Sequence, residues 1–234
     1  MTDGALLSAL DWWAEAGVDT LADDLPRNWL AAAPTASETA EVIPAAAPRA
    51  PAAANLPDTL EDFRAFLLAD ATIPGPASMR IDATGDTASG VVIVVDMPEA
   101  EDRASGRLLS GEVGALFDRM LGAIKLSREH VYLIPFSPAR PTTGRLSPAE
   151  IKPLTPLLLR HLALAAPQKL LLLGDAPVQA LLNLPAAKAR ETVHSVTVGE
   201  TAVPAVASIH PRIVHMRRDY RALAWADLQQ FESL

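Results

Sequence analysis

Four short apolar runs, each followed by a longer stretch of helical periodicity, govern what residues 90–234 can become. The first run, "GVVIVV" at 90–95, is β-branched and unbroken by polar residues, the pattern of a strand covered on both faces. After it, "EVGALFDRMLGAI" at 112–124 sets Val113, Leu116, Met120, Leu121 and Ile124 on one helical face. The order then repeats. "HVYLIPF" (130–136) reads as strand and "SPAEIKPLTPLLLRHLALA" (147–165) as helix, with Pro148 near its start. "KLLLLG" (169–174) precedes a helical "APVQALLNL" (176–184), and "AVPAVASIH" (202–210) precedes a closing helix within 219–234. Covered strands alternating with helices predict a three-layer α/β/α sandwich around a central, mainly parallel four-stranded sheet.

In sheets of this kind ligands collect beyond the carboxyl ends of the strands. Asp96 follows the first run directly and His210 ends the last, while Pro135 and Gly174 hold the corresponding ends of the middle two. A carboxylate placed there costs free energy unless it is solvated, paired or used. An aspartate and a histidine facing one cleft could polarise a water and stabilise a developing anion. The residues alone leave a second account open, in which Asp96 caps the following turn and His210 is a hydrogen-bonded structural histidine.

Composition excludes several classes. Half of the 234 residues are hydrophobic and none is cysteine, so disulfides, thiolate metal sites and a cysteine nucleophile are ruled out. We expect no metal and no cofactor. No apolar run reaches the roughly 18 residues of a membrane span, and the opening "MTDGALLSALDWW" lacks the basic region of a signal peptide. The expectation is therefore a cytoplasmic protein without membrane contact. The net charge of −8 is unevenly spread: residues 1–57 hold eight acids against two arginines, a net of −6. The remainder is nearly balanced, which argues against strong bulk attraction to nucleic acid.

Residues 31–57 are mostly Ala and Pro and read as a semi-extended linker. Ahead of it, residues 1–30 carry Leu6, Leu7, Leu10, Trp13 and Val18 at amphipathic spacing, and the globular domain spans 58–234. Trp12, Trp13 and Trp29 are three of the four tryptophans. Tryptophans ahead of a flexible linker suit a partner groove, so we expect a protein partner docking through Leu10, Trp12 and Trp13. A helix folded back onto its own domain is the alternative.

The order of these pieces resembles the family 4, iron–sulfur type, uracil-DNA glycosylases. "VDMPEAEDRASGRLLSGEVGALFDRML" is similar to the family's first motif, with Pro98, Gly106, Gly111, Gly114, Leu116, Asp118, Met120 and Leu121 in step. "LSREHVYLIPFSPARP" looks like its strand leading to Cys-Arg-Pro, with Arg140 and Pro141 kept. "LLLLGDAPVQALL" resembles its Leu-Gly-x-x-Ala segment. "ASIHPRIVHMRRDYRALAWADL" resembles its His-Pro motif and closing helix, with His210, Pro211, Trp225, Asp227 and Leu228 in place. The resemblance implies hydrolysis of the bond between deoxyribose and a flipped-out uracil, because the reacting atoms lie inside the duplex. It gives Asp96 the place of the water-activating carboxylate and His210 that of the group stabilising the leaving base. Met97, Pro98, Leu109, Pro135 and Ser208 would line the base site. Ile213, Val214 and Met216 would form a wedge, with Arg212, Arg217, Arg218 and Arg221 on phosphates, so DNA binding is expected to be weak or conditional.

The departures are equally specific. The family's base-stacking Phe falls on Leu109 and its uracil-reading Asn on Pro135, which has no side-chain amide and no backbone donor. A motif glycine is Glu99, where a negative charge would face the DNA, and two cluster cysteines fall on Ala139 and Leu154. With no cysteine, a thiolate-held cluster is impossible. A pocket that loses base-bonding groups loses discrimination. The expectation is a superfamily member of base-excision repair with eroded base recognition and weak or altered excision. The alternative is a non-catalytic interaction protein, similar to the psi subunit of the bacterial clamp loader, which has a glycosylase-type fold and a partner-binding N-terminal peptide.

Overall fold

The computed structural model describes residues 56–234, so the segment 1–30, with Leu10, Trp12 and Trp13, and nearly all of the linker 31–57 lie outside the described residues. The described chain begins with helix α1 (Leu60–Ala69), started by Thr59, whose side chain accepts from the Asp62 amide. Leu56 already packs on the core, and Arg160 donates to the Pro57 carbonyl and pairs with Asp58 at 2.6 Å.

The four predicted strands are present: β2 (Val91–Val95), β3 (Tyr132–Pro135), β4 (Lys169–Leu173) and β6 (Thr201–Ser208). They form a parallel block in the order β3-β2-β4-β6, with Val95 level with Pro135 and Leu173, and Leu173 level with Ser208. Two more strands widen the predicted four-stranded sheet to six. The two-residue β1 (Thr84–Gly85) runs antiparallel on β3, and β5 (His194–Val198) runs antiparallel on β6. Both sit at edges. The exposed residues of β5 alternate with buried Val196 and Val198, so it lacks the continuous apolar run of a covered strand.

Period-two alternation sorts the sheet into two cores. Val92, Val94, Tyr132, Ile134, Leu170 and Leu172 face one side, against α1, α4 (Pro148–Ala165), α5 (Asp175–Leu182) and α6 (Ala186–Ala189). Val91, Ile93, Val95, Leu133, Leu171 and Leu173 face the other, against α3 (Gly111–Ala123) and α8 (Arg221–Glu232). The result is the three-layer sandwich. Among the described residues no helix is long and apolar enough to cross a membrane.

The loop leaving β2 is held by polar groups. Asp102 opens the four-residue α2 (Asp102–Ser105), is fully buried, and accepts from the amides of Glu99, Leu109 and Ser110 and from the Ser110 hydroxyl, at 2.6–2.9 Å. Arg128 closes the other side, donating to the Leu108 and Leu109 carbonyls and to Asp118. This pinning lets Leu109 hold a left-handed backbone (φ 51°), unusual for a branched side chain. Removing the buried acceptor strands several donors together. Asp102→Ala is expected to destabilise the domain by about 3 kcal/mol, lowering its melting temperature by roughly 8 °C. A thermal melt within one degree of the parent would contradict this account of the loop.

Candidate active site

The rim beyond β2, β4 and β6 is built by the starts of two helices. Gly174 follows β4 at φ 106°, and a Cβ there would lie 2.3 Å from Asp96 Oδ2, so only glycine leaves room for that carboxylate. Asp96 uses the room. Its Oδ1 accepts from the Ala176 amide, at the amino end of α5, at 3.0 Å. The side chain is 8 % exposed. Burial pushes its carboxyl up to about 7, against the pull of that amide and of the nearby Arg212 charge. The carboxyl therefore titrates well above the ordinary aspartate range, close to neutral pH.

His210 stands on the same rim two strands away, about 10 Å along the sheet. It caps α7 (Pro211–Met216): Nδ1 accepts from the Arg212 amide at 3.2 Å. Only 2 % of the residue is exposed, and burial, reinforced by the charges of Arg212 and Arg140, brings its pKa down to about 3. The ring is neutral. With Nδ1 accepting, the proton belongs on Nε2, which is buried and has no hydrogen-bond partner among the described residues.

Glu99 lies between these elements rather than out on an exposed face. Its side chain is only 11 % exposed and points inward, 3.5 Å from Arg140 Nη1, 3.4 Å from Arg212 Nη1 and 3.7 Å from His210 Nδ1. The last approach is no ion pair, because the imidazole is uncharged. Burial raises the Glu99 carboxyl against the pull of the two guanidiniums. Glu99, Pro98, Arg103 and Arg140 also line a cleft of about 500 Å³ walled by Pro74, Met79 and Leu146. Neither Asp96 nor His210 lines it.

The other expected site residues divide. Met97 and Pro135 are buried at the rim, and Pro98 both lines the cleft and accepts from Arg140. Leu109 does not face a ligand: it is 1 % exposed, packed with Leu108, Phe117 and Leu121 beneath α3. Ser208 points the other way as well, donating to Asp227, which takes a paired hydrogen bond from Arg190. Of the wedge residues, Val214 is buried, Ile213 half-buried and Met216 72 % exposed. Arg212 is committed to Glu99 and Arg217 to Asp219 at 2.8 Å, while Arg218 and Arg221 are exposed. Among the described residues no cluster of His, Asp and Glu could hold a metal ion.

An iron–sulfur cluster does not fit this chain. Ala139 and Leu154 are 2 % and 1 % exposed and offer no ligand. Beside Ala139, to which it is bridged through the main chain, Arg80 donates to the carbonyls of Leu67, Leu68, Asp70, Ile73 and Gly75. One guanidinium gathers the whole turn.

The Asp96 carboxyl has a consequence for stability. The native chain holds a proton that the unfolded chain releases between about pH 4 and pH 7, so its contribution falls as pH rises through that window. The full penalty stands above pH 7. Asp96→Asn removes it, and is expected to stabilise the protein at pH 8 by about 2 kcal/mol or more, roughly 5 °C, and by almost nothing at pH 4. His210 and His161, lowered to about 3 and about 4, pull the opposite way in both proteins, so the comparison is made between variants at each pH. A lower melting temperature for the variant at pH 8 would contradict the assignment.

Comparison with known proteins shows the family. The family model of the Uracil DNA glycosylase superfamily matches residues 83–229, well over half of the chain. A type-4 uracil-DNA glycosylase of Pyrobaculum aerophilum is 26% identical over 113 residues, covering 48% of this chain and 54% of the relative. The chain thus spans about half the length of that curated relative. From β2 through the closing helix, the matched region contains the strands, the Asp96 rim and the His210 cap described above, and the chain belongs to the uracil DNA glycosylase superfamily.

Proposed function

We propose that the protein is a cytoplasmic glycosylase of DNA base-excision repair with an eroded base pocket, hydrolysing the N-glycosidic bond weakly or with a changed base preference through Asp96 and His210. The observation that carries this reading is the neutral His210, whose buried Nε2–H lacks a partner among the described residues, on one rim with a titratable Asp96. In the reaction a flipped-out nucleotide places its sugar near Asp96. The ionised carboxylate stabilises the oxocarbenium-like sugar and takes a proton from the attacking water. The Nε2–H of His210 donates to the departing base as negative charge develops on it. Erosion follows from Leu109 lying in the core and Pro135 lacking an amide, which leaves the base edge without its expected reader. DNA contact falls to the exposed Arg218 and Arg221, with Arg217 shared with Asp219 and Arg212 held by Glu99 until they are released.

One observation favours a second reading. Asp96 already caps α5 and His210 already caps α7, so both have structural work independent of chemistry. On that reading the domain is a non-catalytic interaction module, with residues 1–30 docking on a protein partner through Leu10, Trp12 and Trp13 and the 31–57 linker giving them reach.

Excision of uracil from single- and double-stranded oligonucleotides separates the two. We expect slow excision that rises with pH through about 7, as Asp96 ionises. Asp96→Asn and His210→Ala should each lower it by about a hundredfold or more. Rates unchanged in both variants would remove the catalytic assignment. Efficient excision would contradict erosion, and none from any deoxynucleotide would leave the interaction reading.

A further inference from the structure

The Glu99 carboxylate is poorly bonded for a group buried between two arginines. Charge-assisted hydrogen bonds to carboxylates run at about 2.7–2.9 Å, yet here the approaches are 3.4–3.5 Å. Glu99 Oε1 makes no hydrogen bond among the described residues. His210 Nδ1 cannot supply one, because it accepts from the Arg212 amide. The guanidiniums, by contrast, hold unused donors. Apart from Glu99, Arg140 donates only to the Pro98 carbonyl, and the Arg212 side chain to nothing else among the described residues.

Two planar donor forks converging on one point suit an anion with more acceptor oxygens than a carboxylate. Tetrahedral phosphate has them, and can meet both forks at normal distance. Glu99 and Arg140, though not Arg212, line the cleft of about 500 Å³ with exposed Arg103 beside them, so an anion in the cleft meets Arg140 first and reaches Arg212 as Glu99 gives way.

We propose that Glu99 is a resident carboxylate occupying a phosphate site built by Arg140 and Arg212, and that a phosphate oxyanion displaces it. In the resting protein the latch offsets one of the two arginine charges. When a phosphate enters, Glu99 swings toward the cleft and the two forks close on the oxyanion beside His210. The phosphate site stands on this geometry alone; that the displacing phosphate belongs to DNA rests on the glycosylase reading.

The test compares the full-length parent with Glu99→Gln, which keeps volume and removes charge, and with Glu99→Gly, which guards against a packing defect peculiar to glutamine. Two probes are used: inorganic phosphate, by thermal shift and calorimetry, and a fluorescent duplex oligodeoxynucleotide, by anisotropy across a salt series. Both variants should bind inorganic phosphate about tenfold more tightly than the parent, and adding Arg140→Gln with Arg212→Gln should abolish the gain. If DNA is the source, affinity for the duplex rises too, and its salt dependence steepens by about one phosphate contact. A gain for inorganic phosphate alone supports the site and assigns it to a free phosphate, leaving the glycosylase reading to the excision assay. A phosphate response equal to the parent's in both variants overturns the proposal.

Discussion

A carboxylate buried at the carboxyl edge of a parallel sheet is the constraint on which this rim depends. Asp96 is tolerable there because β4 ends in Gly174, whose missing side chain leaves space for the carboxyl, and because α5 starts where it can donate an amide. The parallel register makes that possible: β2, β4 and β6 end level, so the helix starts that follow β4 and β6 open onto the same edge. His210 uses the second of these by capping α7. Capping and chemistry are therefore compatible roles. The cap fixes the orientation of each ring or carboxyl, and burial then sets its protonation, raising Asp96 and lowering His210.

Around this pair the fold concentrates charge in a poorly solvated place. Arg140, from the loop after β3, and Arg212, from α7, approach Glu99 and disfavour a further positive charge on His210. That keeps the imidazole a neutral donor across the physiological range. Behind it, Asp102 and Arg128 pin the 97–110 loop by its own amides and carbonyls, so the β2 end is framed by hydrogen bonds as well as apolar packing. On the far side Arg80 does the same for residues 67–75, where an inorganic cluster is impossible without thiolates.

Much of this was legible in the sequence because covered strands announce themselves. The runs at 91–95, 132–135, 170–173 and 205–208 are buried on both faces, and their ends identified the rim and both titratable residues. Edge strands gave no such signal: β1 is two residues long, and β5 alternates buried and exposed positions. Loop side chains were the other blind spot. Alignment to a family placed Leu109 and Ser208 at a base site, but a left-handed turn pinned by Asp102 sends Leu109 into the core, and strand alternation turns Ser208 toward Asp227. The setting of Glu99 was hidden for the same reason, since only the loop's fold brings it between two arginines that are distant in sequence.

The central claim is that the rim holds Asp96 buried and titrating close to neutral pH while His210 stays neutral. Carbon-detected NMR titration of the aspartate side-chain carboxyls, with Asp96 assigned by its loss in Asp96→Asn, reads this directly. The account predicts that the Asp96 carboxyl carbon titrates near pH 7. A midpoint in the ordinary aspartate range, about 4, would mean a solvated carboxylate and would contradict it.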